Sequence, residues 1–167
     1  MRKTLTVALA GLLLSVVAAG QKLELKLDSL AAKAAEKSEV DLDGGALDLA
    51  KRAGKVGHGM PGTVTGVYAR SYEFSNSEAY TEKDLEPLRK QVGESSGWTR
   101  ILHAKEKHES TEIFVLNQGD QIRGLLIVAC EAKEVSVVHI TGALTPDNLK
   151  ELVTSNVVGY FGLGENR

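Results

Sequence analysis

From residue 98 onward, hydrophobic and polar positions fall into strand-length runs separated by turn residues. WTRILHAKEK (98–107), TEIFVLNQ (111–118), QIRGLLIVACE (121–131) and VSVVHITGAL (135–144) follow one another, with turns at Gly119-Asp120 and at Ala132-Lys133-Glu134. This succession predicts an antiparallel meander. Upstream, TVTGVYARSYEF (63–74) alternates and is rich in β-branched and aromatic residues, which predicts another strand. Leu23, Leu27, Leu30, Ala31 and Ala34 recur at helical spacing and predict a helix over 23–35. Asp43 caps a second helix over 46–53, and SEVDL (38–42) between the two fits either an edge strand or a connector. A T-x-x-D start at Thr81 opens TEKDLEPLRKQV, with Leu85, Leu88 and Val92 on one face. Thr145, followed by Pro146, opens a last helix, TPDNLKELV.

The order strand, helix, four strands, helix, preceded by two helices, predicts an α+β fold. The expected form is a twisted, mainly antiparallel sheet of about five strands with helices packed mainly on one face.

The first twenty residues have another pattern: Arg2 and Lys3, an apolar run from Leu5 to Val17, then Ala18-Ala19-Gly20. That form predicts a cleaved secretory signal over 1–20, followed by a single domain over 21–153 and a Gly-rich tail over 154–167. The run is shorter than the ~20 apolar residues of a bilayer span, and no later segment approaches that length, so no membrane span is expected. A lipid anchor would need a cysteine where Gln21 stands. The expected location is therefore periplasmic or extracellular, as a soluble protein. Arg2 and Lys3 leave with the signal, so 20 Lys+Arg become 18 against 22 Asp+Glu, a net charge of −4. Scattered basic residues on an acidic chain argue against a nucleic-acid partner. A single cysteine, Cys130, excludes an internal disulfide framework and a CxxC site.

Cys130 and His139 invite a thiol–imidazole interpretation, which strand geometry opposes. With a turn at 132–134, Glu131 lies opposite Val135, and Cys130 and His139 point to opposite faces. With a turn one residue shorter, Cys130 lies opposite Val135; the faces agree, but the two residues are four rows apart. The first register collects Leu126, Val128, Cys130, Val138 and Ile140 on a core face. Leu125, Ile127, Ala129, Val135, Val137, His139 and Thr141 fall on a second face, too apolar to be left to water. From it, Leu125, Ile127, Val137, His139 and Thr141 are the candidate binding residues. A protein partner, a second copy, a small apolar ligand, the tail with Val157, Val158, Tyr160, Phe161 and Leu163, or a helix of the same chain would cover them.

Three further patterns offer chemistry. GESSG (93–97) matches the nucleophile elbow in letters, but a helix precedes it and a strand follows, the reverse of what exposes the serine. GHGMPG (57–62) matches G-x-G-x-x-G, but no helix N-terminus follows to meet a pyrophosphate. His103, Glu106, His108 and Glu112 surround a turn that also carries Lys105 and Lys107, which disfavours a cation. No catalytic residue, metal site or cofactor is assigned on these grounds.

Over about residues 27 to 153 the chain resembles an exported bacterial family, domain of unknown function 4252. LDSLAAKAAEKSEVDLDGGALDLA, VYARSYEFS and, above all, QGDQIRGLLIVACEAKEVSVVHITGALTPDNLKEL carry the resemblance. It implies a small envelope protein; many members are lipoproteins, and the missing lipobox cysteine sets this chain apart. It supplies no catalytic or ligand residues. The expected function is a non-catalytic binding or interaction domain. The alternatives are a small envelope enzyme using His139, Thr141 and Tyr68, and a structural or stress-related envelope protein.

Overall fold

The computed structural model describes residues 22–54, 60, 63–93 and 96–154. The expected signal, most of GHGMPG, Ser95 and the tail beyond Thr154 lie outside the described residues. Six strands, β1 (Glu36–Asp43), β2 (Val64–Glu73), β3 (Trp98–Glu106), β4 (Glu109–Gln118), β5 (Gln121–Cys130) and β6 (Glu134–Leu144), form one sheet in the order β1-β2-β6-β5-β4-β3. Every neighbouring pair is antiparallel. The four helices are α1 (Asp28–Lys33), α2 (Gly44–Arg52), α3 (Glu82–Gln91) and α4 (Pro146–Thr154). The α+β class and the antiparallel meander stand as expected. The sixth strand is β1, where the sequence left the choice between edge strand and connector open.

The helices do not gather on one face. Leu47 of α2 and Leu149 and Leu152 of α4 pack with Val67, Ala69, Leu125, Ile127, Val138 and Ile140 on one side of the sheet. Leu30 of α1 and Leu85 and Leu88 of α3 pack with Leu126, Val128, Cys130, Val135 and Val137 on the other. The reason lies in the central strands. GLLIVAC and VSVVHIT are continuous apolar runs rather than alternating ones, and of the eleven residues of β6 nine are buried. Such strands need cover on both faces.

Register decides which residue meets which layer. Cys130 pairs with Val135, Val128 with Val137, Leu126 with His139, Ile127 with Val138 and Leu125 with Ile140. This is the shorter of the two turns considered, closed by Glu131 N–H donating to the Glu134 carbonyl at 2.7 Å. One residue of slip reverses every side chain of a strand. Val135, Val137 and His139 therefore join Cys130 beneath α1 and α3, while Val138 and Ile140 join Leu125 beneath α2 and α4.

The first helix is also shorter than its spacing predicts. Residues 22–27 form no regular element, the Leu27 N–H turning back to the Leu25 carbonyl at 3.0 Å, and only 28–33 are helical. KLELKL carries a period of two as well as the leucine spacing of a helix, and the period of two prevails because Leu23 and Leu25 pack on the α1/α3 core. Asp84 ties α1 to α3. It accepts from Ser29 Oγ at 2.5 Å, from Lys33 Nζ at 2.8 Å and from the Thr81 N–H at 2.8 Å. Burial alone would raise its pKa, but the Lys33, Ser29 and Thr81 bonds outweigh burial and hold the carboxyl well below its ordinary range.

Where β2, β5 and β6 meet, the ladders shift register beside Gly142, whose φ is 147°. A Cβ there would stand 2.3 Å from the Thr63 carbonyl oxygen. Gly142→Ala should therefore cost about 3 kcal/mol in chemical denaturation. Gly119→Ala, at a positive φ but in open space, should cost only about 1 kcal/mol. Equal losses would mean that the close approach at Gly142 does not constrain the fold.

Candidate functional site

β2 alternates between two environments. Val67 and Ala69 enter the α2/α4 core, while Gly66, Tyr68, Arg70 and Tyr72 face the other way. On that side β1 contributes Lys37, Glu39, Asp41 and Asp43, directly opposite Tyr72, Arg70, Tyr68 and Gly66. The α1/α3 face is thus apolar over β4, β5 and β6 but polar over β1 and β2. Arg70 is the hub of the polar part, reaching Glu39 at 2.5 Å and Asp41 at 2.7 Å. Burial works to raise the Asp41 pKa, and the bonds from Arg70 and Lys22 more than offset it, leaving the carboxyl below its ordinary range. The Tyr68 hydroxyl donates to Asp43 at 3.4 Å, and burial, with Asp43 beside it, raises its pKa.

Among the described residues only the start of α1, at Asp28, borders this polar part. The segment Lys22–Leu27 borders it, and with Tyr68, Arg70 and Tyr72 lines an open-sided cleft of about 460 Å³. That volume falls within the range of small-molecule sites, roughly 300–1,000 Å³.

Behind Tyr68 lies His139, opposite it in the register. Its ring centroid is 5.7 Å from that of Tyr68 and 5.8 Å from that of Trp98, which stands edge-on. Glycines make the arrangement possible. A Cβ on Gly124 would meet the Trp98 ring at 3.2 Å, and one on Gly66 would meet Thr141 Oγ1 and the Tyr68 hydroxyl at 2.8 Å each. His139 is 2% exposed, its Nδ1 has no hydrogen-bond partner among the described residues, and burial lowers its pKa to about 4. An imidazole of that basicity, with no carboxylate to orient it, is a poor general base at neutral pH.

The structure divides the five candidate binding residues. Leu125 and Ile127 face α2 and α4; Val137, His139 and Thr141 face the opposite side. All five are at most 5% exposed, so the apolar face is covered by the chain's own elements. Cys130 and His139 share a face but stand four rows apart, about 13 Å along the strands. Burial raises the Cys130 thiol to about 11, and its contact with Ser110 offsets this only in part. Of the four residues around the β3–β4 turn, Glu112 is drawn under α3, where Arg89 and Arg100 each donate to it at 2.8 Å. No cluster of metal-ligating residues occurs among the described residues.

Sequence reasoning named Tyr68 but missed Arg70, Tyr72, Glu39 and Asp41. Their signal was present in the alternation Tyr68, Arg70, Tyr72, which marks one face of β2 as neither apolar nor plainly solvated. The missing information was that β1 is a strand, which places its carboxylates beside them.

A family model, Domain of unknown function (DUF4252), matches residues 32–152. No curated protein and no solved structure matches the chain.

With a folded pKa near 4 against an ordinary 6.5, His139 takes up its proton more readily in the unfolded chain. Its contribution to stability is complete above pH 6.5 and is lost as pH falls through 4, by about 3 kcal/mol in all. Denaturation midpoints measured at pH 7 and pH 4.5 should therefore diverge less in His139→Phe than in the wild-type chain. Parallel losses in both would show that His139 does not carry this dependence.

Proposed function

The chain belongs to the DUF4252 family, and from that premise we propose that it works by binding rather than by catalysis, through the cleft over Tyr68, Arg70 and Tyr72. The observation that carries the proposal is the change of cover along one sheet face: helices cover its apolar part, whereas its polar part lies beside the irregular segment 22–27 and keeps an open-sided cleft of about 460 Å³. Tyrosine supplies a large contact area with little conformational entropy to lose, and arginine is enriched with it at binding hot spots. His139 and Thr141 enter as the buried backing of Tyr68, which fixes the ring that forms the floor.

Export accompanies this function in our proposal. The leader-like pattern of residues 1–20 supports it, and no helix among the described residues is long and apolar enough to cross a membrane.

Chemical-shift mapping of the full chain with a library of small aromatic and carboxylate fragments tests the proposal. Responses should cluster on residues 22–27, Tyr68, Arg70 and Tyr72, and should weaken at least about fivefold in Tyr68→Ala, the loss expected of a floor-forming aromatic. An absence of responses at the cleft, or binders indifferent to Tyr68→Ala, would remove it.

A further inference from the structure

The segment that roofs the cleft resembles a bound peptide more than a structural strand. Its odd positions point inward, Leu27 buried and Leu23 and Leu25 half-buried, while Lys22, Glu24 and Lys26 are exposed. Among the described residues no backbone hydrogen bond joins it to the sheet. Within it the Leu27 N–H donates to the Leu25 carbonyl at 3.0 Å, and from outside its backbone is held by one side chain. Gln91 at the end of α3 accepts from the Lys26 N–H at 2.9 Å and donates to the Glu24 carbonyl at 2.6 Å. A single primary amide thus replaces the rung that a neighbouring strand would provide. At the leading end, Lys22 Nζ donates to Asp41 and lies 5.6 Å from the centre of the Tyr68 ring.

We propose that this cleft is a peptide groove and that Lys22–Leu27 is its tethered occupant. The groove takes an extended chain with aliphatic residues at alternate positions and a lysine immediately before the first. The proposal rests on the binding function above and gives it a partner class. Each element of recognition is present on the protein. Gln91 reads the backbone, the edge of the α1/α3 core receives alternate side chains, and Asp41 with Tyr68 receives the cation. Reading an extended backbone with pockets for every second side chain is an established mode of peptide recognition. The cavity separates this proposal from a purely structural strap. A strap packed flush against its neighbours would leave no such space, whereas an open-sided cleft of about 460 Å³ remains beside this segment.

A tethered occupant competes with a free one, so releasing the tether should strengthen binding in trans. The experiment measures fluorescence anisotropy of a labelled peptide, acetyl-KLELKL-amide, on the full chain and on the full chain carrying Leu23→Asp and Leu25→Asp. The released variant should bind at least about tenfold more tightly than the wild type, because its groove is open for a larger fraction of the time. A reordered peptide, LLLKEK, should bind neither protein, and Asp41→Asn should weaken the released variant's binding. Should the doubly substituted chain fail to fold, Lys22→Glu, at an exposed position of the tether, carries the same comparison.

Equal binding to wild-type and released chains, equal binding of the reordered peptide, or no binding to either would overturn the proposal. So would a released variant that dimerises and is not dissociated by the peptide, which would assign the groove to a second copy. If fragments occupy the cleft but the peptide does not bind, this proposal fails and the binding function stands. If neither binds, both fail.

Discussion

The pairing of Cys130 with Val135 is the constraint on which the rest of the structure depends. It lies at the hairpin that joins the two most apolar strands, and it determines which of their side chains share a face. Because both strands are apolar at consecutive positions, fixing the register creates two hydrophobic surfaces at once, and each requires its own helical layer. Leu47, Leu149 and Leu152 answer one surface, and Leu30, Leu85 and Leu88 answer the other. A slip of one residue would carry His139 beneath α2 and α4, away from Tyr68 and Trp98, the two rings now beside it.

The polar interactions follow from the same layering. α3 lies against the sheet with Arg89 above Glu112, and a carboxylate 2% exposed is tolerable there because two guanidinium groups donate to it. Asp84 performs a comparable service between the two helices of that layer, capping one and holding Ser29 and Lys33 of the other. Helical cover ends over β1 and β2, where the facing side chains are charged or phenolic. The short segment 22–27 suffices there because little apolar area remains to be buried, and the same shortage leaves the cleft.

Much of this architecture was legible in the sequence. Five strands, the capped starts of α3 and α4 and the burial of Cys130 follow from periodicity and turn chemistry. Three features did not, each for a physical reason. The β5–β6 register depended on whether Glu131 belonged to the strand or to the turn, which alternation cannot decide when both faces are apolar. KLELKL satisfies helical and extended periods together, so tertiary packing of Leu23 and Leu25 made the choice. The charged composition of EKSEVDLD left the choice between edge strand and connector open, since an edge tolerates charge on both sides. The last of these hid the candidate site, because Glu39 and Asp41 reach Arg70 only when that segment pairs with β2.

Helices of the same chain cover both faces of the central strands, and the segment 22–27 lies over the polar corner. Native-state hydrogen exchange of the full chain tests this most directly. The amides of Leu126, Val128 and Val137 should exchange only through global unfolding, whereas the Lys26 amide, held by Gln91 alone, should exchange through a local opening of much lower free energy. Protection of Lys26 equal to that of the central strands would contradict the account, since the segment would then belong to the cooperative core.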